Sequence, residues 1–227
     1  MSEKSKTLLV SGCSCTDKNW TSIHHPELDM SWPKWPELLG KKLNMKVENL
    51  AHSGAGNEYI YSSLLDGIEI HKPDIVIAAW SQTQRKDYKI RGRWTNMLFD
   101  NYGDIDYFLD KTFRWWYSLQ EICKLKNIKL YQVQMLPLYT SNTHQDLKKA
   151  EKELVSRLIH KNIYFNKIDD NFLGYPCDER LDGYNIKEKV LKGYGEEGRP
   201  YQISQFDTHP NKKGHELIAE FLYDRLG

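Results

Sequence analysis

Seven consecutive residues, Asp74-Ile-Val-Ile-Ala-Ala-Trp80, constrain the fold more than any other stretch of the chain. After the aspartate the run is unbrokenly apolar and rich in β-branched residues, so as a strand it has no face for water. A strand buried on both faces needs helices packed on both sides of its sheet, and that arrangement calls for parallel strands joined by crossover helices. Thr7–Val10, Lys46–Ala51 and Lys129–Met135 read as further short strands, and Asn162–Phe165 as a short fifth one. Helices are expected between them. One opens at Ser31-Trp-Pro-Lys-Trp-Pro, with Ser31 as N-cap and the prolines in the first turn, and stops near Gly40 or Asn44. The next carries Tyr59, Ile60, Ser63, Leu64, Gly67 and Ile68 on one face and ends at His71-Lys72-Pro73. Leu109–Lys126, Gln145–His160 and Lys212–Leu226 follow, with Asn127 suited to the end of the first of these.

This order, strand alternating with helix, predicts an α/β fold built on a parallel five-stranded sheet with right-handed crossovers, in one domain spanning residues 1–227. Two stretches interrupt it. Residues 86–108 are polar and aromatic without clean periodicity and are expected to lie over the strand ends. Residues 166–206 are rich in Gly, Asp and Tyr and too long for a plain connection, so a functional or lid-like excursion is expected there.

Composition narrows the function classes. Lys plus Arg is 32 against 31 for Asp plus Glu, and the charges are interspersed, which argues against a nucleic-acid surface. Only four or so apolar residues follow Met1-Ser-Glu-Lys-Ser-Lys, too few for a signal-peptide core, and no apolar run approaches the roughly 18 residues of a membrane span. A soluble cytoplasmic protein with no membrane partner is expected. Cys13, Cys15, Cys123 and Cys177 show neither a disulfide framework nor zinc-ligand spacing, so Cys13 and Cys15 read as small buried side chains and no metal or cofactor is implied. Adjacent His24 and His25 point in different directions on most backbones and read as surface or pocket-rim residues.

In an open parallel sheet, ligands bind at the carboxyl ends of the strands. The loops after the first three strands therefore gather Ser14, the Gly54-Ala-Gly56 turn and Gln82 at one edge, and the loop before the last helix can bring Asp207 and His209 to it. Ser14 is the candidate nucleophile: Gly12 lets the chain turn sharply off the first strand and leave one hydroxyl at its end. A serine needs a base within hydrogen-bond reach, for which His209 is suited, and a carboxylate, Asp207, to hold the other ring nitrogen. Candidate donors for a developing oxyanion are the backbone N–H groups of Ser14 and Gly54 and the side-chain amide of Gln82. The competing reading of Gly12–Thr16 is an ordinary turn of small residues. His215 reads as a structural helix residue, Trp80 as either pocket wall or core, and Arg85 as a surface arginine or, alternatively, a contact for an anionic substrate group.

Four blocks together resemble the SGNH (GDSL-like) hydrolase superfamily: Gly12-Cys-Ser14-Cys-Thr16, Asn49-Leu-Ala-His-Ser-Gly54, Ile75-Val-Ile-Ala-Ala-Trp-Ser-Gln82 and Asp207-Thr-His209-Pro-Asn-x-x-Gly-His215. Gly-Cys-Ser-x-Thr followed by a Ser-Trp-Pro helix is similar to a subgroup found in bacteriophages and bacterial polysaccharide loci. The resemblance implies a flavodoxin-like three-layer α/β/α sandwich and hydrolysis of a carboxylic ester through an acyl-enzyme, often of an acylated carbohydrate or other small ester, without a metal. If the chain is phage-encoded it also implies a virion-associated location. The alternatives are a catalytically degenerate binding or phage-structural module and a sugar O-acyltransferase. Three departures stand out. Cys13 replaces the family aspartate beside the nucleophile. Gln82 stands where the oxyanion asparagine belongs, with Asn57 as a second candidate. The acid and base are spaced Asp-x-His instead of Asp-x-x-His, which leaves open whether Asp207 completes a triad or His209 works in a dyad.

Overall fold

The computed structural model describes residues 5–97, 103–139 and 145–226. In chain order the elements are β1 (Thr7–Ser11), α1 (Trp35–Leu43), β2 (Lys46–Asn49), α2 (Asn57–His71), β3 (Ile75–Trp80), β4 (Lys86–Ile90), β5 (Arg93–Met97), α3 (Ile105–Leu125), β6 (Lys129–Gln134), α4 (Gln145–Lys161), β7 (Phe172–Leu173), α5 (Ile186–Lys189) and α6 (Lys212–Leu226). Five strands form one parallel sheet in the order β2-β1-β3-β6-β7. Counted within the sheet this is 2-1-3-4-5, the flavodoxin-like order, and its direction reverses between β1 and β3, where such sheets open a ligand crevice.

The apolar run lies where its composition requires. β3 pairs with β1 on one side and β6 on the other, and Val76 to Trp80 have no exposed surface. The Trp80 indole donates to Gln132 Oε1 at 2.9 Å, so this residue belongs to the core and not to a pocket wall. Helices α1 and α6 pack together on one face, and α2 and α3 on the other with α4 against α3. Close approach needs glycine: a Cβ at Gly40 would sit 2.0 Å from Val47 Cγ2 of β2, and one at Gly67 would sit 2.7 Å from Leu50 Cδ1. Among the described residues no helix is long and apolar enough to cross a membrane.

The structure corrects the sequence reading at several points. Ser31 does not cap α1; the helix starts at Trp35, its N-cap is Lys34, and Ser31 N–H donates to Asp29 Oδ1. Pro33 disfavours helical backbone at Trp32, so the helix begins beyond it, with Pro36 in its first turn where no bond is lost. β2 ends at Asn49, before Ala51, because the Asn49 side chain accepts the Ala51 N–H and turns the chain. Asn162–Phe165 is not a strand: Asn162 Oδ1 accepts the Tyr164 N–H, and a 3₁₀ turn follows at Phe165–Lys167. The fifth strand is β7, two residues long and too short to carry a period.

The stretch 86–108 contains the antiparallel hairpin β4–β5, turned at Arg91 and Gly92, both at positive φ as a two-residue hairpin turn requires. Residues 98–102 of that stretch lie outside the described residues. The stretch 166–206 includes β7 and α5, and its Ile186, Val190 and Leu191 join the main hydrophobic cluster.

Candidate active site

The site is assembled from loops at the carboxyl edge of the sheet. After β1 the chain turns at Gly12, where a Cβ would lie 2.5 Å from Thr16 Oγ1 and 3.0 Å from Ala79 Cβ. The N–H groups of Thr16 and Asp17 both donate to the Cys13 carbonyl, at 2.8 and 3.0 Å, which closes the turn around Ser14, itself only 8% exposed. The turn is tied to the loop after β2 in three ways. His52 N–H donates to the Gly12 carbonyl, Asn49 Nδ2 to the Thr16 carbonyl, and Ser53 N–H to Asp17 Oδ2. That second loop bends at Gly54, at φ +78°, a conformation that a side chain would strain. Among the described residues the amides of Ser14 and Gly54 donate to no protein acceptor.

The loop after β3 is held by Asn57. This side chain is fully buried; its Oδ1 accepts the Ser81 N–H and its Nδ2 faces Thr112 Oγ1 at 3.4 Å. Asn57, the second oxyanion candidate, is thus a tether inside the protein, its amide nitrogen turned to Thr112. Gln82 lies on the same loop, and its Oε1 accepts from Arg85 Nε at 3.0 Å. Arg85 Nη1 reaches the Ala55 carbonyl at 3.3 Å, so one guanidinium joins the Gln82 loop to the residue after Gly54.

The fourth loop precedes α6. His209 Nε2 lies 2.8 Å from Ser14 Oγ, across 195 positions of sequence. His209 Nδ1 lies 2.7 Å from Asp207 Oδ1, which also accepts the His209 backbone N–H at 3.1 Å. The short Asp-x-His spacing is thus accommodated by an Asx-type turn, in which one carboxylate oxygen meets both the backbone and the ring of the residue two positions on. The other oxygen, Oδ2, accepts from the Ser22 hydroxyl. Burial alone pushes the Asp207 carboxyl up, but the hydrogen bonds from Ser22 and then from the ring and backbone of His209 hold it below the usual carboxylate value.

Trp20, Ser22 and Lys187, none of them marked by spacing or motif, shape this corner. Trp20 stacks on the His209 ring with centroids 4.1 Å apart. Ser22 sits in the polar loop after the Ser14 turn, and its oxygen also accepts the N–H groups of His24 and His25. Of the two adjacent histidines, His25 joins the network through Ser204 Oγ at 2.8 Å, and that oxygen accepts the Asp207 N–H. Lys187, on α5, is 2% exposed and donates to the Thr208 carbonyl between the acid and the base. Burial lowers its pKa, while Cys15 and Asp207 oppose that. A buried lysine in an irregular stretch carries no sequence signal of its purpose.

Beneath Ser14 the Cys13 and Cys15 thiols are both buried and unbridged. The Cys15 thiol hydrogen-bonds to Cys13, which pulls Cys13 down against the cost of burial and raises Cys15, with the Arg85 and His209 charges also favouring the Cys13 thiolate. His215 is buried in α6 and its Nδ1 accepts the Trp35 N–H at 3.3 Å. Burial, then the charges of Lys34 and His209, push its pKa down to about 3. Among the described residues no three His, Cys, Asp or Glu side chains gather as a metal site would require.

No protein-family model matches this sequence, and no curated protein matches it. Solved structures do. The psychrotrophic esterase EstA from Pseudoalteromonas sp., in a structure inhibited by monoethylphosphonate, superposes with a TM-score of 0.54 at 15% identity, covering 97% of this chain and 96% of that one. TesA gives 0.55 at 17% identity over 97% and 98% of the two chains. A G-D-S-L family protein from Desulfitobacterium hafniense DCB-2 gives 0.52 at 16% over 96% and 98%. At these identities the likeness is one of fold: this chain shares with these structures a three-layer α/β/α fold on a five-stranded parallel sheet.

Proposed function

We propose that this chain is a serine ester hydrolase acting through an acyl-enzyme on an acylated carbohydrate or similar small ester. One observation carries the reading: the unbroken hydrogen-bond chain from Ser14 Oγ through both nitrogens of His209 to Asp207, at 2.8 and 2.7 Å, beside two backbone amides that meet no acceptor among the described residues.

In this reading His209 Nε2 takes the Ser14 proton as Oγ attacks the ester carbonyl. Asp207 holds the ring in the tautomer with its proton on Nδ1 and stabilises the imidazolium that forms. The tetrahedral oxyanion accepts hydrogen bonds from the N–H groups of Ser14 and Gly54, with Gln82 as a third donor. Arg85 holds the oxygen end of the Gln82 amide, which orients the nitrogen end away from the guanidinium. A donor of this kind contributes on the order of 3 kcal/mol to the transition state. Collapse of the intermediate breaks the ester C–O bond, and the alcohol leaves with the proton from His209. Water then attacks the acyl-Ser14 carbonyl, giving its proton to His209, and the carboxylic acid is released as Ser14 is regenerated.

The test is hydrolysis of p-nitrophenyl acetate by the wild type and Ser14→Ala, together with labelling by a fluorophosphonate probe. The expected outcome is turnover and labelling that both vanish in Ser14→Ala. Equal rates in the two proteins refute the reading, and absence of labelling in a folded wild type favours a binding module on the same fold.

A further inference from the structure

We propose that Arg85 forms an anion subsite in the same crevice, and that the ester this protein acts on carries a carboxylate close to the scissile bond. The inference rests on the ester-hydrolase reading and names the substrate class of that site.

Arg85 touches two of the loops that border Ser14 and projects its charge onto the third. Its Nε donates to Gln82 on the loop after β3, and its Nη1 to the Ala55 carbonyl on the loop after β2. Its charge also acts on the Cys13 and Cys15 thiols on either side of Ser14. The side chain is half-buried, and two of the five guanidinium N–H groups are engaged, both by neutral acceptors.

Among the described residues no carboxylate forms an ion pair with it. Asp87 beside it and the two acids of the Ser14 and His209 loops are committed elsewhere. Asp87, two residues on, accepts the N–H groups of Gly56 and Tyr59 at the start of α2 with its two oxygens. Asp17 accepts from Asn19 and Ser53, and Asp207 from Ser22 and His209. Lys187, a buried cation near the nucleophile turn, is turned inward onto the Thr208 carbonyl. Among the described residues Arg85 is thus a partly exposed cation held in place without an ion-pair partner, its charge acting on an Asp87 whose oxygens are already committed to backbone N–H groups. A guanidinium braced on two neutral oxygens loses little further freedom on binding, and its remaining fork of N–H groups matches a carboxylate.

The carboxylate could belong to the acyl group or to the alcohol, and two matched pairs separate these sources. The acyl arm compares 4-nitrophenyl hydrogen succinate with its methyl ester; the alcohol arm compares 4-acetoxybenzoate with methyl 4-acetoxybenzoate. The readout is the ratio of kcat/KM, charged over neutral, after subtraction of the rate with Ser14→Ala. The expected result is a ratio of about tenfold or more in one arm, collapsing toward unity in Arg85→Gln and only partly kept in Arg85→Lys, which retains the charge but not the fork. A ratio at or below unity in both arms, or one unchanged in Arg85→Gln, overturns the proposal while leaving Ser14-dependent hydrolysis intact. Calorimetric titration with succinate decides the case in which no ester is turned over. Binding that is lost in Arg85→Gln then supports the subsite while the hydrolase reading falls, and no binding to the wild type overturns the subsite as well.

Discussion

Replacing Ser22 with alanine removes the hydroxyl that donates to Asp207 Oδ2 and leaves a buried carboxylate oxygen without its partner. Hydrogen bonds to charged groups contribute roughly 1.5–3 kcal/mol, which bounds the loss of stability at neutral pH. The same hydroxyl leads the interactions that hold the Asp207 carboxyl down against burial, so its removal raises that pKa. The sign follows from linkage. A carboxyl depressed in the folded state contributes stability that is present above its unfolded value, about 3.9, and lost as the pH falls through the folded value. The deficit of Ser22→Ala is therefore expected in full near pH 7 and should shrink below about pH 4. In catalysis the carboxylate must stay ionised and aimed at His209 Nδ1, so kcat should fall about tenfold. Urea melts at several pH values and p-nitrophenyl acetate kinetics at neutral pH measure the two effects. Ser22→Thr keeps a hydroxyl at the same atom and should restore kcat. An alanine variant with wild-type kcat would show that Ser22 has no part in positioning Asp207.

Two other expectations concern the scaffold. His215 has a folded pKa near 3 against an unfolded value of about 6.5, so the unfolded chain binds more protons between them and stability falls as the pH drops, by about 2 kcal/mol at pH 5. His215→Gln keeps an acceptor for the Trp35 N–H, and its melting temperature should vary less between pH 6.5 and 4; a dependence as steep as the wild type's refutes the assignment. Gly12→Ala places a methyl 2.5 Å from Thr16 Oγ1 and should lower the melting temperature and hydrolysis together, because the turn that presents Ser14 cannot close; thermal melts beside turnover measurements check this.

Much of the scaffold was legible because strand burial and helix amphipathicity are periodic and local. The β3 run, the α2 face and the Ser14 and Gly54 turns all follow from residues near one another in sequence. What failed had no period to read. β7 is two residues long, and the β4–β5 hairpin exposes side chains such as Tyr88 and Ile90, which blurs any alternation. The α1 start was misplaced because a favourable capping residue, Ser31, was overruled by backbone restriction at Pro33.

At the site, sequence alone was enough to nominate a serine on a glycine turn, a histidine with an aspartate two residues before it, and donors at Gly54 and Gln82. It left open whether that aspartate could face its histidine, and it was silent on Ser22, Trp20 and Lys187. Tertiary structure decided these because they depend on which loops share one sheet edge. Ser22 meets Asp207 across 185 positions, and the Asx-type turn at Asp207 is clamped from outside by that contact. A sequence pattern records what a residue prefers of its neighbours a few positions away. The partner of a loop side chain is set by strand order, here the 2-1-3 reversal that brings the first loop and the last together.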